Sequence, residues 1–213
     1  MKKMPTEKLS RQQQTELRKQ AILQAAFGEF SQKGFALTRM EDIAKTAGVS
    51  KGSIYNYFAS KEILLEELVK VKILPMLPQE SSIQSNQLSA KELAYERLSY
   101  IMNNMLHSEA GLLLNLIIDE GERFPNIAKM YYNVVISKGM KIIEKILAKA
   151  WQQGELTNKD LLDCPQILVM PIVQNLIWKK VFYDFYPLDF EKILCLHLDT
   201  IFTPARKGGH EHE

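Results

Sequence analysis

The sequence predicts an all-helical (all-α) protein in two parts: an N-terminal three-helix group, joined by a linking helix to a larger helical bundle. Three observations carry this. Apolar residues recur at spacings of three and four along nearly the whole chain, with no sustained period-two alternation. Helix-starting Ser and Thr and helix-ending Gly punctuate the first third at short intervals. Beyond it the periodic segments lengthen, and prolines mark the breaks.

The first helix begins near Ser10 or Thr15 and sets Leu17, Ile22, Ala26, Phe27 and Phe30 along one face. Gly34 follows as a C′ residue able to take positive φ. Thr38 and Glu41 have the T-x-x-E spacing of a capping box, which opens a second helix ending before Gly48. Ser50 caps a third helix, and Ser60 with Lys61 starts a fourth that runs to Leu74 and stops at Pro75. The polar run 79–87 reads as a connection. Longer helices are expected over residues 89–107, 111–123, 125–153 (closed by Gly154), 160–186 and 189–202. Pro171 lies inside the fourth of these, where it kinks the axis or starts a fresh segment. The closing ARKGGHEHE reads as a disordered tail, giving a division into residues 1–61, 62–204 and 205–213.

With 46% apolar and 24% charged residues, the chain has the balance of a globular protein able to bury its own core. No apolar run approaches the roughly 18 residues of a membrane span, and no apolar stretch follows the two N-terminal lysines as in a secretory leader, so a cytoplasmic protein is expected. Cys164 and Cys195 show no metal or redox spacing and are expected to be buried thiols. The net charge of +2 is unevenly spread: residues 1–61 carry eleven Lys/Arg against five Asp/Glu, and the remainder sixteen against twenty. Polyanion binding is therefore expected in the first part.

The run TRMEDIAKTAGVSKGSIYNYFASK, 38–61, is built as two short helices meeting at a tight turn, a helix-turn-helix. Ala44 is small where the helices cross, Gly48 supplies the turn, and Ile43, Val49, Ile54 and Phe58 are spaced to form the motif's core. With Ile54 and Phe58 inward, Lys51, Gly52, Ser53, Tyr55, Asn56 and Tyr57 are left to face outward or sideways. Their hydroxyls, amide and ammonium groups suit phosphate oxygens and base edges of duplex DNA. Thr38 and Lys61, at two further helix starts, are placed to clamp flanking phosphates, and Arg39 adds charge.

From Gly34 to Leu64 the chain reads GFALTRMEDIAKTAGVSKGSIYNYFASKEIL, which resembles the N-terminal domain of the TetR family of repressors. Arg39 departs from that family's usual second threonine, and Asn56 from a frequent aromatic or histidine. The resemblance implies that Thr38, Lys51, Ser53, Tyr55, Tyr57 and Lys61 touch DNA, mostly its backbone. It also implies a homodimer paired through the last two long helices, with Ile167, Ile172, Leu176, Phe182, Ile193, Leu194, Leu198 and Ile201 at the interface. The phrase Glu120, Arg123, Phe124, Pro125 resembles the junction between the sixth and seventh helices in one subgroup, which could link a pocket to the DNA-binding helices.

Helical bundles can enclose apolar pockets in which a few polar groups orient a ligand. Candidates for contacts with a small hydrophobic or amphipathic effector are Met102, Met105, His107, Asn115, Met130 and Tyr131, with Val134, Gln174 and Trp178. Enzyme chemistry finds no support: His107 and His197 fall within helices with no Ser or Cys pattern beside them, and no Gly-rich phosphate loop occurs. The cluster Asp119, Glu120, Glu122 reads as a solvated face. No cofactor or metal is expected. The leading expectation is a regulator released from a near-palindromic operator by a small ligand; the alternative is a DNA-bound adaptor that recruits a protein without one.

Overall fold

The structure is a computed structural model and describes residues 10–77, 88–105 and 108–202. The expected polar connection and C-terminal tail, and the candidate ligand residue His107, lie outside these. Ten α-helices are described: α1 (Arg11–Leu37), α2 (Met40–Thr46), α3 (Lys51–Tyr57), α4 (Lys61–Lys72), α5 (Ala90–Met105), α6 (Glu109–Glu120), α7 (Pro125–Tyr131), α8 (Ser137–Gln152), α9 (Met170–Val181) and α10 (Phe190–Ile201). Among the described residues no helix is long and apolar enough to cross a membrane. The chain divides into two compact units, one of residues up to Lys72 together with Leu112–Tyr131, the other of Ile73–Gly111 and the residues from Tyr132 onward. The division thus falls later than residue 61 and is not a single cut.

In the first unit, α1 starts on a full capping box. Ser10 Oγ accepts the Gln13 amide, and the Gln13 side chain accepts the Ser10 amide; such a cap stabilises a helix by about 1 kcal/mol. Leu17 is exposed, whereas Ile22, Ala26, Phe27 and Phe30 are buried, so the apolar face begins one turn later than expected. Gly34, at φ +74°, breaks the helical path within α1. A side chain there would be strained by the backbone and would also meet Glu120 Oε1, 3.2 Å from an ideal Cβ. The core of α1 to α4 holds Phe30, Phe35, Ile43, Ile54, Leu64, Leu65 and Leu68, and α6 and α7 add Leu113, Ile117 and Ile127. Phe35 stacks on Phe30 at 5.5 Å between centroids and meets Phe124 edge-on at 5.3 Å.

The second unit is organised around α8, whose buried Ile142, Ile143, Ile146, Leu147 and Ala150 recur every three to four residues. α5 contributes Leu93, Ala94, Leu98 and Met102 to the same core, and α10 contributes Leu194, Leu198 and Ile201. The buried Glu155 carboxylate accepts the Ala90 amide at 2.8 Å, satisfying an orphan donor at the start of α5. An isolated bridge between Leu156 and Phe202 ties the end of α10 to the loop after α8.

Two helix expectations are corrected. Residues 160–186 are not one helix: 3-10 turns at Lys159–Leu162 and Pro165–Val169 precede α9. Pro165 and Pro171 each sit in a first turn, where a missing amide is harmless, so proline starts segments here rather than kinking one. The 125–153 segment carries a π-helical stretch at Tyr132–Ile136. Cys164 and Cys195 are both exposed, contrary to the buried-thiol expectation. They lie outward because their neighbours Pro165 and Leu194 take the inward positions.

Candidate nucleic-acid interface

The helix α3 is fixed from below and open above. Gly48, at φ +67°, makes the turn from α2, and the Val49 amide donates to Ala44 O at 3.0 Å. Ser50 then accepts the Ser53 amide at 3.1 Å and caps α3. Ile54 is fully buried and Phe58 is buried one turn on, while Val49 is half-buried. The side chains left outward are those the spacing predicts: Lys51, Gly52, Tyr55 and Asn56 are exposed, and Ser53 and Tyr57 are half-buried. Arg39, the residue before α2, is exposed beside them in sequence and makes no side-chain cap.

One charge on this surface, that of Lys51, is already paired. Lys51 Nζ lies 2.8 Å from Glu41 Oε1, and each holds the other ionised: Glu41 falls below the usual carboxylate range and Lys51 rises above the usual lysine value. Both groups are exposed, so the pair is weak. Behind it, Glu29 joins α1 to α2, with Lys33 at 2.6 Å and the Thr46 hydroxyl donating at 2.6 Å. Those contacts, Lys33 foremost, hold the Glu29 carboxyl low.

Thr38 and Lys61 depart from the outward placement expected of them. Thr38 is buried, and its hydroxyl donates to Gly34 O at 2.8 Å and Glu29 O at 3.2 Å. It therefore closes α1 rather than capping α2. Lys61 Nζ donates to the carbonyls of Phe35 (2.7 Å), Ala36 (3.3 Å) and Thr38 (3.1 Å) and sits 4.3 Å from the centre of the Phe35 ring. Three donors meeting three carbonyls exhaust its ammonium. Glu120, read as part of a solvated face, instead accepts the Ala36 amide at 3.2 Å. The kink at Gly34 turns these backbone groups toward it, and nothing in the spacing of Glu120 signals that.

The candidate ligand residues are split between the two units. Asn115, Met130 and Tyr131 belong to the first; Tyr131 is buried, which pushes its phenol up to about 12. Met102, Met105, Val134, Gln174 and Trp178 belong to the second. Met102 and Met105 are buried, but Gln174 is exposed and its neighbour Asn175 is the buried amide, which donates to Met102 Sδ at 3.1 Å. Trp178 Nε1 donates to Tyr186 O at 2.7 Å.

Several of the expected interface residues turn inward instead. Ile172, Leu194, Leu198 and Ile201 are buried in the protomer's own core, and Ile167 and Leu176 pack partly against it. Ile193 is half-buried, and Phe182 is exposed. α9 is apolar on two faces, and periodicity does not say which one turns inward.

Residues 22–68 match the model of bacterial regulatory proteins of the tetR family, and residues 97–182 match that of the AefR-like transcriptional repressor C-terminal domain. The chain belongs to the TetR family of transcriptional regulators. Along most of its length it is 28% identical to the "Probable HTH-type transcriptional regulator YttP" of Bacillus subtilis, over 82% of this chain and 89% of that one. Over 63 residues, 28% of this chain and 30% of the relative, it is 46% identical to the HTH-type transcriptional regulator RutR of Escherichia coli. In fold it matches the Flavonoid-responsive Regulator FrrA with a TM-score of 0.66 at 24% identity, covering 86% of this chain and 94% of that one. TetR-family proteins are transcriptional regulators, not enzymes; they bind DNA operators and typically act as dimers with small-molecule effectors. The outward face of α3 thus belongs to a DNA-binding regulator.

Proposed function

We propose that this regulator is a cytoplasmic repressor, bound as a homodimer to a near-palindromic operator and released by a small, mainly apolar molecule held in its C-terminal helices. The observation that carries the DNA reading is the division of labour around α3. Lys51, Gly52, Tyr55 and Asn56 stand outward, while the neighbouring Thr38 and Lys61 spend their polar atoms on the protein itself. Arg39, Ser53 and Tyr57 complete the reading surface.

Dimerisation follows from α9. Met170, Val173, Ile177 and Val181 recur every three or four residues, and each is more than half exposed. A strip of this kind on a protein surface marks an interface, and a second copy of the chain covers it. One α3 reads only a short half-site, so useful specificity needs two copies. Release is a population shift: the effector must bind the DNA-incompetent state more tightly than the bound one. FrrA is described as flavonoid-responsive, in keeping with an effector of this size and polarity. Within the first unit, Glu120 and Phe124 grip the backbone and ring at 35–36, next to the start of α2. A shift of α6 therefore reaches the reading helices.

Selection of bound sequences from a random duplex pool with the full chain tests this. Enrichment of two inverted half-sites, with centres about 10 bp or more apart, together with lowered transcription from a promoter carrying them, is the expected result. A single unpaired half-site, or raised transcription, contradicts it.

A further inference from the structure

Asn175 is an anomaly in the second unit. It lies on the inward face of α9, one turn from the buried Ile172, and is 7% exposed. A carboxamide offers two N–H donors and a carbonyl with two lone pairs. Here one donor goes to the thioether of Met102, a weak acceptor, at 3.1 Å. Three residues before Met102, on the same face of α5, the Ser99 hydroxyl is buried and has no hydrogen-bond partner. Two neutral polar groups thus lie on α5 and α9, whose buried residues Leu98, Met102 and Ile172 belong to one apolar core.

Burying polar groups without partners costs free energy that an apolar pair of the same shape avoids. We infer that Asn175 and Ser99 are the polar fixtures of an effector-binding site inside the second unit, specific for a neutral, mainly apolar molecule carrying one hydroxyl or amide. Such a group donates to Asn175 Oδ1 and accepts from Asn175 Nδ2 or Ser99 Oγ, while its apolar body replaces contacts to Met102 and Ile172. An ion does not suit the site, because a carboxamide and a hydroxyl do not compensate the loss of its hydration. The inference rests on the proposed effector-controlled reading and names the chemistry of that effector.

The test is titration of the full chain with 1-naphthol and naphthalene, which share an apolar body and differ by one hydroxyl. The chain should bind 1-naphthol at least about tenfold more tightly than naphthalene. Asn175→Leu should bind the two within about twofold of each other, and Ser99→Ala should lose part of the preference. Asn175→Leu replaces a buried amide that donates to a thioether by an apolar group of similar size, so its melting temperature should be unchanged or higher. A preference for 1-naphthol that survives in Asn175→Leu overturns the inference, as does failure of the chain to bind 1-naphthol up to its solubility limit. As a readout on the unaltered protein, the Asn175 side-chain amide resonance should shift on adding 1-naphthol, and an unmoved resonance contradicts the site. Operator binding measured in parallel separates the two readings. Asn175-dependent binding that leaves DNA bound supports the site and overturns the effector-release reading. Loss of sequence-specific DNA binding in the unligated chain would strike only the proposed function.

Discussion

The helices from Ile22 to Leu68 and those beyond Ala90 spend their exposed side chains differently. Around α3 what faces outward is polar or amphipathic: Lys51, Tyr55 and Asn56 over a core of Ile43 and Ile54. On α9 what faces outward is Met170, Val173, Ile177 and Val181, while an amide, Asn175, is buried on the inward face. The first arrangement suits a hydrated, charged partner such as DNA. The second suits an apolar partner outside and a partly polar one inside. On the proposed function, polarity in this chain marks the direction of the partner, not simply the direction of water.

The largest test of this contrast is Leu194→Ala. If Leu194 is protomer core rather than interface, its loss should destabilise the fold by about 3 kcal/mol, read by denaturant melts that show the same loss at every protein concentration. A loss confined to dilute protein would return Leu194 to the interface. Next, Ile177→Lys places a charge in the exposed strip and should weaken self-association by about a hundredfold, measured by sedimentation, with the fold retained. An undisturbed dimer would mean that the strip has another occupant. Tyr55→Ala should reduce operator affinity about tenfold without moving the melting temperature. The smallest effect is expected of Glu41→Gln. Freed from its ion pair, Lys51 becomes available to phosphate, and operator affinity should rise about two- to threefold; a fall would show that Glu41 holds Lys51 in its reading position.

Much of the outward face of α3 is legible in the sequence because α2 and α3 have one apolar and one polar side. Ser50, Gly48 and Ile54 have single roles that their chemistry announces, and the structure shows each in that role. Thr38 was not legible, since T-x-x-E spacing fits a capping box as well as it fits a hydroxyl turned back to Gly34 O. Only the kink at Gly34, which carries the carbonyls of Phe35 and Ala36 to Lys61, decides between them. α9 defeated periodicity for another reason. Apolar residues line both its faces, so the adjacent amides Gln174 and Asn175, about 100° apart on the helix, exchange the roles that spacing alone suggests. Ile172, expected at the interface, turns into the protomer core for the same reason.

On the proposed function, lysines close in sequence divide between reading DNA and holding the domain together, and the salt dependence of operator binding separates the two roles. Lysine-to-alanine variants at positions 51 and 61 should separate. Lys51→Ala should flatten the log-log slope by about 0.9, one phosphate contact, and leave the melting temperature unchanged. Lys61→Ala should leave the slope intact and lower stability by about 2 kcal/mol, because three carbonyls lose their donor. A flattened slope with unchanged stability in Lys61→Ala would contradict the account.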